Sequence, residues 1–453
     1  MTPAFSAEQS AFSQRLTGIV GSASVSTDER VTAEHTVDGL KPFVVVFASS
    51  AEQVSQVVKA GNQFEKTIVP WGSGSKQSVG PCLARADAVI SLKPMNKIIE
   101  LDVGNYTVQV EAGMVNRDLH RQLAEQGLFL PFDPFCTETS TIGGELATNV
   151  SGPSRAAYGT ARDIVLGITA VSPTGDIIHT GGKTMKNVAA IDLGKLLIGS
   201  QGTLGIITDT VMRIFPQAEV NRSLLLAFQD AEDAFQVVSR LLASKLTPGS
   251  VELVDGIVGH HLEPAGGPPL EENGVLLMVS ISGSREDTER HQKEISALAE
   301  ERKVSRTVIL DGTEVNGIEN AYHQAHQSLF TSPSVVQGKA SVPLSKQGEM
   351  FRAIKQTGSK YVVPVGVTVH GYNGILYTRF DASVADPSGI INDLNGTAAG
   401  LDGFFMVEAA PLQFRKNGAV LPPRSDYKLM RLLKNSLDPR NILNPGKLIG
   451  GPG

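Results

Sequence analysis

Apolar positions along the first half of the chain alternate between two periods. In 52–63, Val54, Val57 and Val58 fall at helical spacing. Short apolar runs at 67–70 and 88–92 predict strands. Segments 97–101 and 107–111 predict a strand pair around Val103-Gly104-Asn105. Leu119 and Leu123 share one face of a predicted helix over 115–126, which Gly127 ends. A hairpin is expected from 164–172 and 176–180 about Pro173-Thr174-Gly175. A strand over 205–215 stops at Pro216. Beyond it the rhythm becomes strand, helix, strand, twice over: 224–228, 231–244 and 251–254, then 274–282, 286–301 and 304–310. Strands at 371–380 and 403–408 and a helix at 427–436 follow. The pattern predicts an antiparallel sheet with helices on one side, and an α+β chain overall.

Composition narrows the function classes. A chain of 453 residues, 41% hydrophobic and 19% charged, is neither disordered nor fibrous. A net charge of −6 argues against broad nucleic-acid binding. The start, Met1-Thr2-Pro3-Ala4-Phe5-Ser6, lacks the basic and apolar parts of a signal peptide. The longest apolar run, 43–48, is too short to span a bilayer. The expectation is a cytoplasmic protein, at most held at the inner membrane by partners. Two cysteines, Cys82 and Cys136, write no disulfide framework and cannot ligate an iron–sulfur cluster. The 46 glycines are about a tenth of the chain against a usual ~7%, and they cluster between Gly72 and Gly205. Glycine permits close backbone approach, so a ligand is expected there.

Three stretches carry the chemistry. Trp71-Gly72-Ser73-Gly74-Ser75-Lys76 follows a strand, and its backbone N–H groups can form an anion nest. It is neither a Walker A loop nor a Gly-x-Gly-x-x-Gly turn, because Gln77 breaks both patterns. Next come Asp133-Pro134, Thr141-Ile142-Gly143-Gly144, Ala147-Thr148-Asn149, Ser151-Gly152 and Tyr158-Gly159. Small residues there leave room for a flat ring and a pyrophosphate. The third stretch is Lys186-Asn187-Val188, Asp192-Leu193 and 199–208, with glycine at 199, 202 and 205.

In this order the three stretches resemble the vanillyl-alcohol-oxidase/para-cresol-methylhydroxylase (PCMH) superfamily of FAD proteins. The likeness is to its glycolate oxidase and D-lactate dehydrogenase branch, and the closing Asn441-Ile442-Leu443-Asn444-Pro445-Gly446-Lys447 matches too. The resemblance implies a PCMH-type FAD-binding domain of two α+β subdomains over 1–216. A cap with an antiparallel sheet over 217–410 would follow, then a segment over 411–453 returning to the flavin. Gly72, Ser73, Gly74, Ser75 and Lys76 would line the pyrophosphate. Pro134, Thr141, Gly143, Gly144, Asn149, Ser151 and Gly152 would contact pyrophosphate, ribityl chain and ring. Gly202, Gly205 and Ile206 would sit by the adenine, and Asn444 in the returning tail. The first glycine loop has no histidine, so the FAD is expected to be non-covalent; Cys136 is the other conceivable point of attachment.

The hydroxy-acid dehydrogenases of this branch carry His-x-Gly-Asp-Gly-Asn-Leu-His for a divalent metal, then a glutamate followed by a base. Here His370-Gly371-Tyr372-Asn373-Gly374-Ile375-Leu376-Tyr377 puts tyrosine at the second histidine, and Glu408-Ala409 loses the base. One histidine and one glutamate make a poor metal site, so no metal is expected. The remaining substrate-facing candidates are Tyr322, His323, Lys339, His370, Tyr377, Arg379 and Glu408. Either Arg379 or Lys339 could hold a carboxylate, and either Tyr377 or His370 could act as base. Two functions follow from the resemblance. One is an enzyme that oxidises a small 2-hydroxy acid by hydride transfer to FAD and passes electrons to an iron–sulfur or other electron-accepting subunit. The other is a non-catalytic FAD-carrying companion subunit of a glycolate oxidase-type complex.

Overall fold

The computed structural model describes residues 6–135, 138–184, 191–271, 273–331, 334–384, 386–416, 421–422 and 424–447. The chain divides into two compact units. The first contains 1–150, 160–216 and 423–453; the second contains 151–159 and 217–422.

Among the described residues, the first unit holds two larger sheets and one two-stranded sheet. In one, β1 (Val25–Ser26), β2 (Val44–Phe47), β3 (Ile68–Trp71) and β4 (Ala88–Ser91) lie in the order β1-β2-β4-β3. The β2–β4 and β3–β4 pairings are parallel. Val44, Val45, Val46, Val89 and Ile90 are all fully buried, the continuous apolar run expected of strands covered on both faces. The helix Ala51–Phe64 packs there through Val54, Val57 and Val58. Ser50 caps it by accepting from the Gln53 N–H, and Glu65 ends it in the left-handed region at φ 52°. The second sheet holds β5 (Ile98–Asp102) and β6 (Thr107–Glu111). A two-residue strand β7 (Leu128–Phe129) lies apart, before β8 (Val165–Val171), β9 (Ile177–Gly181) and β10 (Ile206–Arg213). The sheet order is β5-β6-β10-β8-β9, antiparallel throughout. β7 pairs with β11 (Phe215–Pro216).

The tail completes this unit. β3 is an edge strand, and Leu443 pairs with its Ile68 in parallel. The Ile68 N–H donates to Ile442 O at 2.8 Å, and the Asn444 N–H donates to Ile68 O at 3.1 Å. Lys434, in the helix Tyr427–Leu437, is buried. Its ammonium donates to Thr203 O and Leu443 O, both at 2.9 Å, and pairs with Asp438. Burial pulls this ammonium below its ordinary pKa.

The second unit is built on one eight-stranded sheet. Its strands are β12 (Val220–Phe228), β13 (Ser250–Asp255), β14 (Val275–Gly283), β15 (Arg306–Asp311), β16 (Val335–Ser341), β17 (Gly366–His370), β18 (Ile375–Asp381) and β19 (Phe404–Ala409). The order is β15-β12-β14-β13-β17-β18-β16-β19, antiparallel at every pairing. Alternation along the strands separates two faces. Leu224, Leu226, Val251, Leu253, Val367, Val369, Leu376, Phe380, Phe405 and Val407 form one core with the helices Ala231–Ala243, Arg285–Glu300, Gln347–Lys360 and Pro387–Gly400. The intervening residues Glu252, Thr368, His370, Tyr377, Arg379, Lys339 and Glu408 take the other face.

Two expectations need correcting. The strand expected at 371–380 begins only at Ile375, because 371–374 form the turn between β17 and β18. β17 itself, Gly366-Val367-Thr368-Val369-His370, was not expected. It pairs with β13 and β18, and it carries His370 at its end.

Candidate functional site

The first unit contains a cleft of about 760 Å³, the open solvent at its mouth included. Gly72, Ser73, Gly74, Ser75, Lys76, Thr141, Gly143, Gly144, Gly202, Gly205, Ile206 and Asn444 line it. Pro134, Asn149, Ser151 and Gly152 are not among its lining residues, and Ser151 and Gly152 fall in the second unit. Gln77, Gln201 and Lys447 line it as well; Lys447 comes from the returning tail. Asn444 reaches Gln201 O through Nδ2 at 2.7 Å. Lys447 pairs with buried Asp38 at 2.9 Å.

The cleft is shaped by absent side chains. A Cβ at Gly72 would come within 2.0 Å of Thr141 Oγ1, and Gly74 sits at φ +85° with the Trp71 ring 2.3 Å from where a Cβ would lie. Beneath the cleft, Glu145 is fully buried. Asn116 Nδ2 donates to its Oε2 at 2.6 Å, and Ser140 Oγ donates to its Oε1. Burial pushes its carboxyl up to about 7, against the pull of these donors and of Lys76.

The second unit gathers titratable groups on the polar face of its sheet. Strand register sets Glu252 of β13 opposite His370 of β17. Both are buried, and His370 Nδ1 lies 2.7 and 2.6 Å from the two carboxylate oxygens. Tyr322 Oη, from the helix Thr313–Thr331, donates to Glu252 Oε2 at 2.5 Å. Burial first, then Glu252, pushes the Tyr322 phenol well above its ordinary pKa. A carboxylate only accepts, so an ionised Glu252 places the imidazole proton on Nδ1 and leaves Nε2 as the basic nitrogen.

One helical turn beyond Tyr322, His326 bonds Arg379, whose Nη2 donates to its Nδ1. Burial, then Arg379, holds His326 well below the ordinary histidine range, so it is neutral at pH 7. Arg379 is 4% exposed, and burial brings its guanidinium down to about 10, still protonated at neutral pH. Its Nε and Nη1 have no hydrogen-bond partner among the described residues. Tyr377 faces Lys339 across β18 and β16. The Lys339 ammonium lies 3.2 Å from Glu408 Oε1 and 5.6 Å from the centre of the Tyr377 ring. Burial raises the Tyr377 phenol, against the pull of Lys339. The Tyr377 ring meets that of His370 edge-on at 5.4 Å.

The structure thus brings His370, Tyr377, Arg379 and Glu408 onto one sheet face, with Lys339 and Tyr322. It adds Glu252 and His326, which sequence reasoning missed. Glu252 was signalled by a lone carboxylate inside the apolar strand Val251-Glu252-Leu253-Val254. His326 was signalled by its spacing of four from Tyr322 on a helix. His323 stacks edge-on against Tyr322 at 6.2 Å. Cys136 lies outside the described residues.

Comparison with known proteins agrees over both units. A family model for the FAD binding domain matches residues 42–181. One for the C-terminal domain of FAD linked oxidases matches 217–394 and 423–448. The chain is 31% identical to glycolate oxidase subunit GlcD of Bacillus subtilis (strain 168), over 90% of this chain and 89% of that protein. It is 30% identical to the mitochondrial D-lactate dehydrogenase [cytochrome] of Arabidopsis thaliana, over 90% and 73%. Among solved structures, p-cresol methylhydroxylase with substrate bound superposes with a TM-score of 0.77 at 17% identity, covering 98% of this chain and 97% of that one. Alkyldihydroxyacetonephosphate synthase gives 0.77 at 20% identity, covering 98% and 86%.

The cleft suits FAD. It is walled by glycines that leave space for a pyrophosphate, it has Lys76 beside them, and it holds two buried acceptors, Thr141 Oγ1 and Asn444 Oδ1, with no partner among the described residues. With two matched domains, a relative at 31% identity over nearly its whole length, and this cleft, the chain belongs to the FAD-linked oxidases of the vanillyl-alcohol-oxidase/PCMH superfamily, and its cofactor is FAD.

Proposed function

We propose that the chain is a dehydrogenase of a small 2-hydroxy acid that passes electrons to a partner protein. Bound FAD supplies a two-electron acceptor for the substrate's hydride. Gly72 to Lys76, Thr141, Gly143, Gly144, Gly202, Gly205, Ile206 and Asn444 hold it. The observation that carries the reading is the buried Glu252–His370 pair, on the same sheet face as two cationic side chains. His370 Nε2 takes the proton of the substrate hydroxyl. Glu252 fixes the tautomer and stabilises the imidazolium that results, while Tyr322 holds Glu252 in place. Lys339 is already engaged by Glu408, so Arg379, whose Nε and Nη1 have no hydrogen-bond partner among the described residues, is the stronger candidate for the substrate carboxylate. This assignment uses no metal: the carboxylate–histidine pair supplies the base, and the guanidinium supplies the charge that orients the acid.

The test is an anaerobic titration of the purified flavoprotein with glycolate, D-lactate, L-lactate and D-2-hydroxyglutarate in turn. Bleaching of the visible flavin band by one of them is the expected result. No bleaching by any, with dithionite still reducing the flavin, would sink the reading.

A second reading has its own support. Tyr377 and Ala409 stand where the branch's pattern has histidines, which favours a companion subunit carrying FAD beside a catalytic one. Its mark would be co-purification with a second flavoprotein and no bleaching in isolation.

A further inference from the structure

We propose that Glu145 couples flavin binding to proton uptake, by competing with the cofactor's pyrophosphate for Lys76. The inference rests on the placement of the pyrophosphate against the first glycine loop.

The helix Ile142–Thr148 has two sides. Gly143, Gly144, Ala147 and Thr148 line the cleft, whereas Glu145 turns inward and is fully buried. An ionised carboxylate removed from water requires compensation by charge or hydrogen bonds. Here it has two neutral donors, Ser140 Oγ and Asn116 Nδ2, and one cation acting on it, Lys76. Asp133 acts in the opposite sense. Lys76 is itself a lining residue of the cleft, and its ammonium donates to Phe135 O at 3.1 Å. One lysine would therefore act on two anions, the buried carboxylate and a pyrophosphate bound in the cleft.

The sign follows from burial. Without cofactor, the Glu145 carboxyl is raised to about 7. A pyrophosphate beside Lys76 adds negative charge and draws on the same ammonium, so it raises the carboxyl further. Binding near neutral pH then takes up a proton. By linkage, affinity is full below pH 7 and falls as the pH rises through the range between the free and bound values. The other charges at the cleft are Lys447 and its buried partner Asp38. On the adjoining helix Asn116–Ala124, His120 Nε2 lies 3.1 Å from Phe132 O.

The experiment measures FAD affinity and proton uptake on the full-length protein after removal of its flavin. It uses calorimetry at pH 6 to 9, in buffers of different ionisation heat. The wild type is expected to take up protons near pH 7.5. Its Kd should weaken by about tenfold between pH 6 and pH 9 if FAD raises the carboxyl by about one unit. Glu145→Gln keeps a neutral hydrogen-bonding side chain, so its Kd should change by less than about twofold over that range, and at pH 9 it should bind about tenfold more tightly than wild type. A purely structural Glu145 would instead weaken binding at every pH when replaced, and that outcome overturns the proposal. So does a wild type that binds FAD with no net proton uptake, a measurement that decides even if the variant does not fold. An identical pH profile in both proteins would assign the titration to another group and equally reject Glu145. If FAD does not bind this cleft at all, the placement of the pyrophosphate fails rather than the coupling.

Discussion

The cleft in the first unit and the polar sheet face in the second are built by opposite means. The cleft is made of backbone and small side chains, and its selectivity comes from atoms that are missing: no Cβ at Gly72, none at Gly74. The sheet face is made of large ionisable side chains that are paired, the buried Glu252 with His370 and the half-buried Lys339 with Glu408. Missing atoms leave a shape that accepts a large, fixed ligand. Buried charges cost desolvation, and they persist where each has a partner or a task. Cofactor binding should therefore fail through added bulk, and turnover through lost charge.

Substitutions can break that contrast, beginning with the largest effect. Gly72→Val should abolish flavin retention, because its first side-chain carbon meets Thr141 Oγ1. The ratio of visible flavin absorbance to protein absorbance checks this, and a yellow variant would refute the shape argument. His370→Ala should slow reduction of the bound flavin by the bleaching substrate about a hundredfold or more, with flavin content unchanged. Stopped-flow spectroscopy reads both, and an unchanged rate would remove His370 from the chemistry. Glu252→Gln should cost less, about tenfold or more, since the imidazole remains but loses its fixed tautomer and its counter-charge. Its loss should fall on kcat rather than KM. Ser73→Ala should matter least. Its hydroxyl donates to Ser75 Oγ at 3.1 Å and accepts from the Ser75 N–H at 3.4 Å on an exposed loop, so FAD affinity should stay within about twofold by fluorescence titration. A large effect there would show that side chains, and not only backbone, grip the cofactor.

The two regions also differed in how legible they were. The cleft's lining falls in short stretches, where glycine spacing is a local signal. Pairs such as Gly143-Gly144 and Gly202-x-x-Gly205 can be read without knowing the fold. What that reading lacked were Gln201, beside Gly202, and Lys447, whose place depends on the returning tail. The sheet face is assembled from residues far apart. Glu252 and His370 are 118 positions apart and meet only because β13 pairs with β17. β17 runs straight into the turn at 371–374, so its five residues gave no separate strand signal, and the expected strand began on the turn instead. Tyr377, Arg379 and Lys339 were nameable as polar residues among apolar ones, but the partner of each is set by register, which is not written locally.

The tail carries a consequence for how the protein is made. Leu443 pairs with Ile68 at an edge of the first sheet, and Lys434 ties the loop at Thr203 to Asp438. Between these partners in sequence lies almost the whole second unit. A ribosome releases Ile68 and Thr203 long before it releases Lys434 or Leu443. The first unit must therefore wait, with one sheet edge open, while more than two hundred further residues emerge. Its flavin cleft gains Asn444 and Lys447 only after the second unit has been made. Loading with cofactor is thereby tied to synthesis of the second unit: a nascent chain halted within it would display the glycine loops but lack the residues that close them.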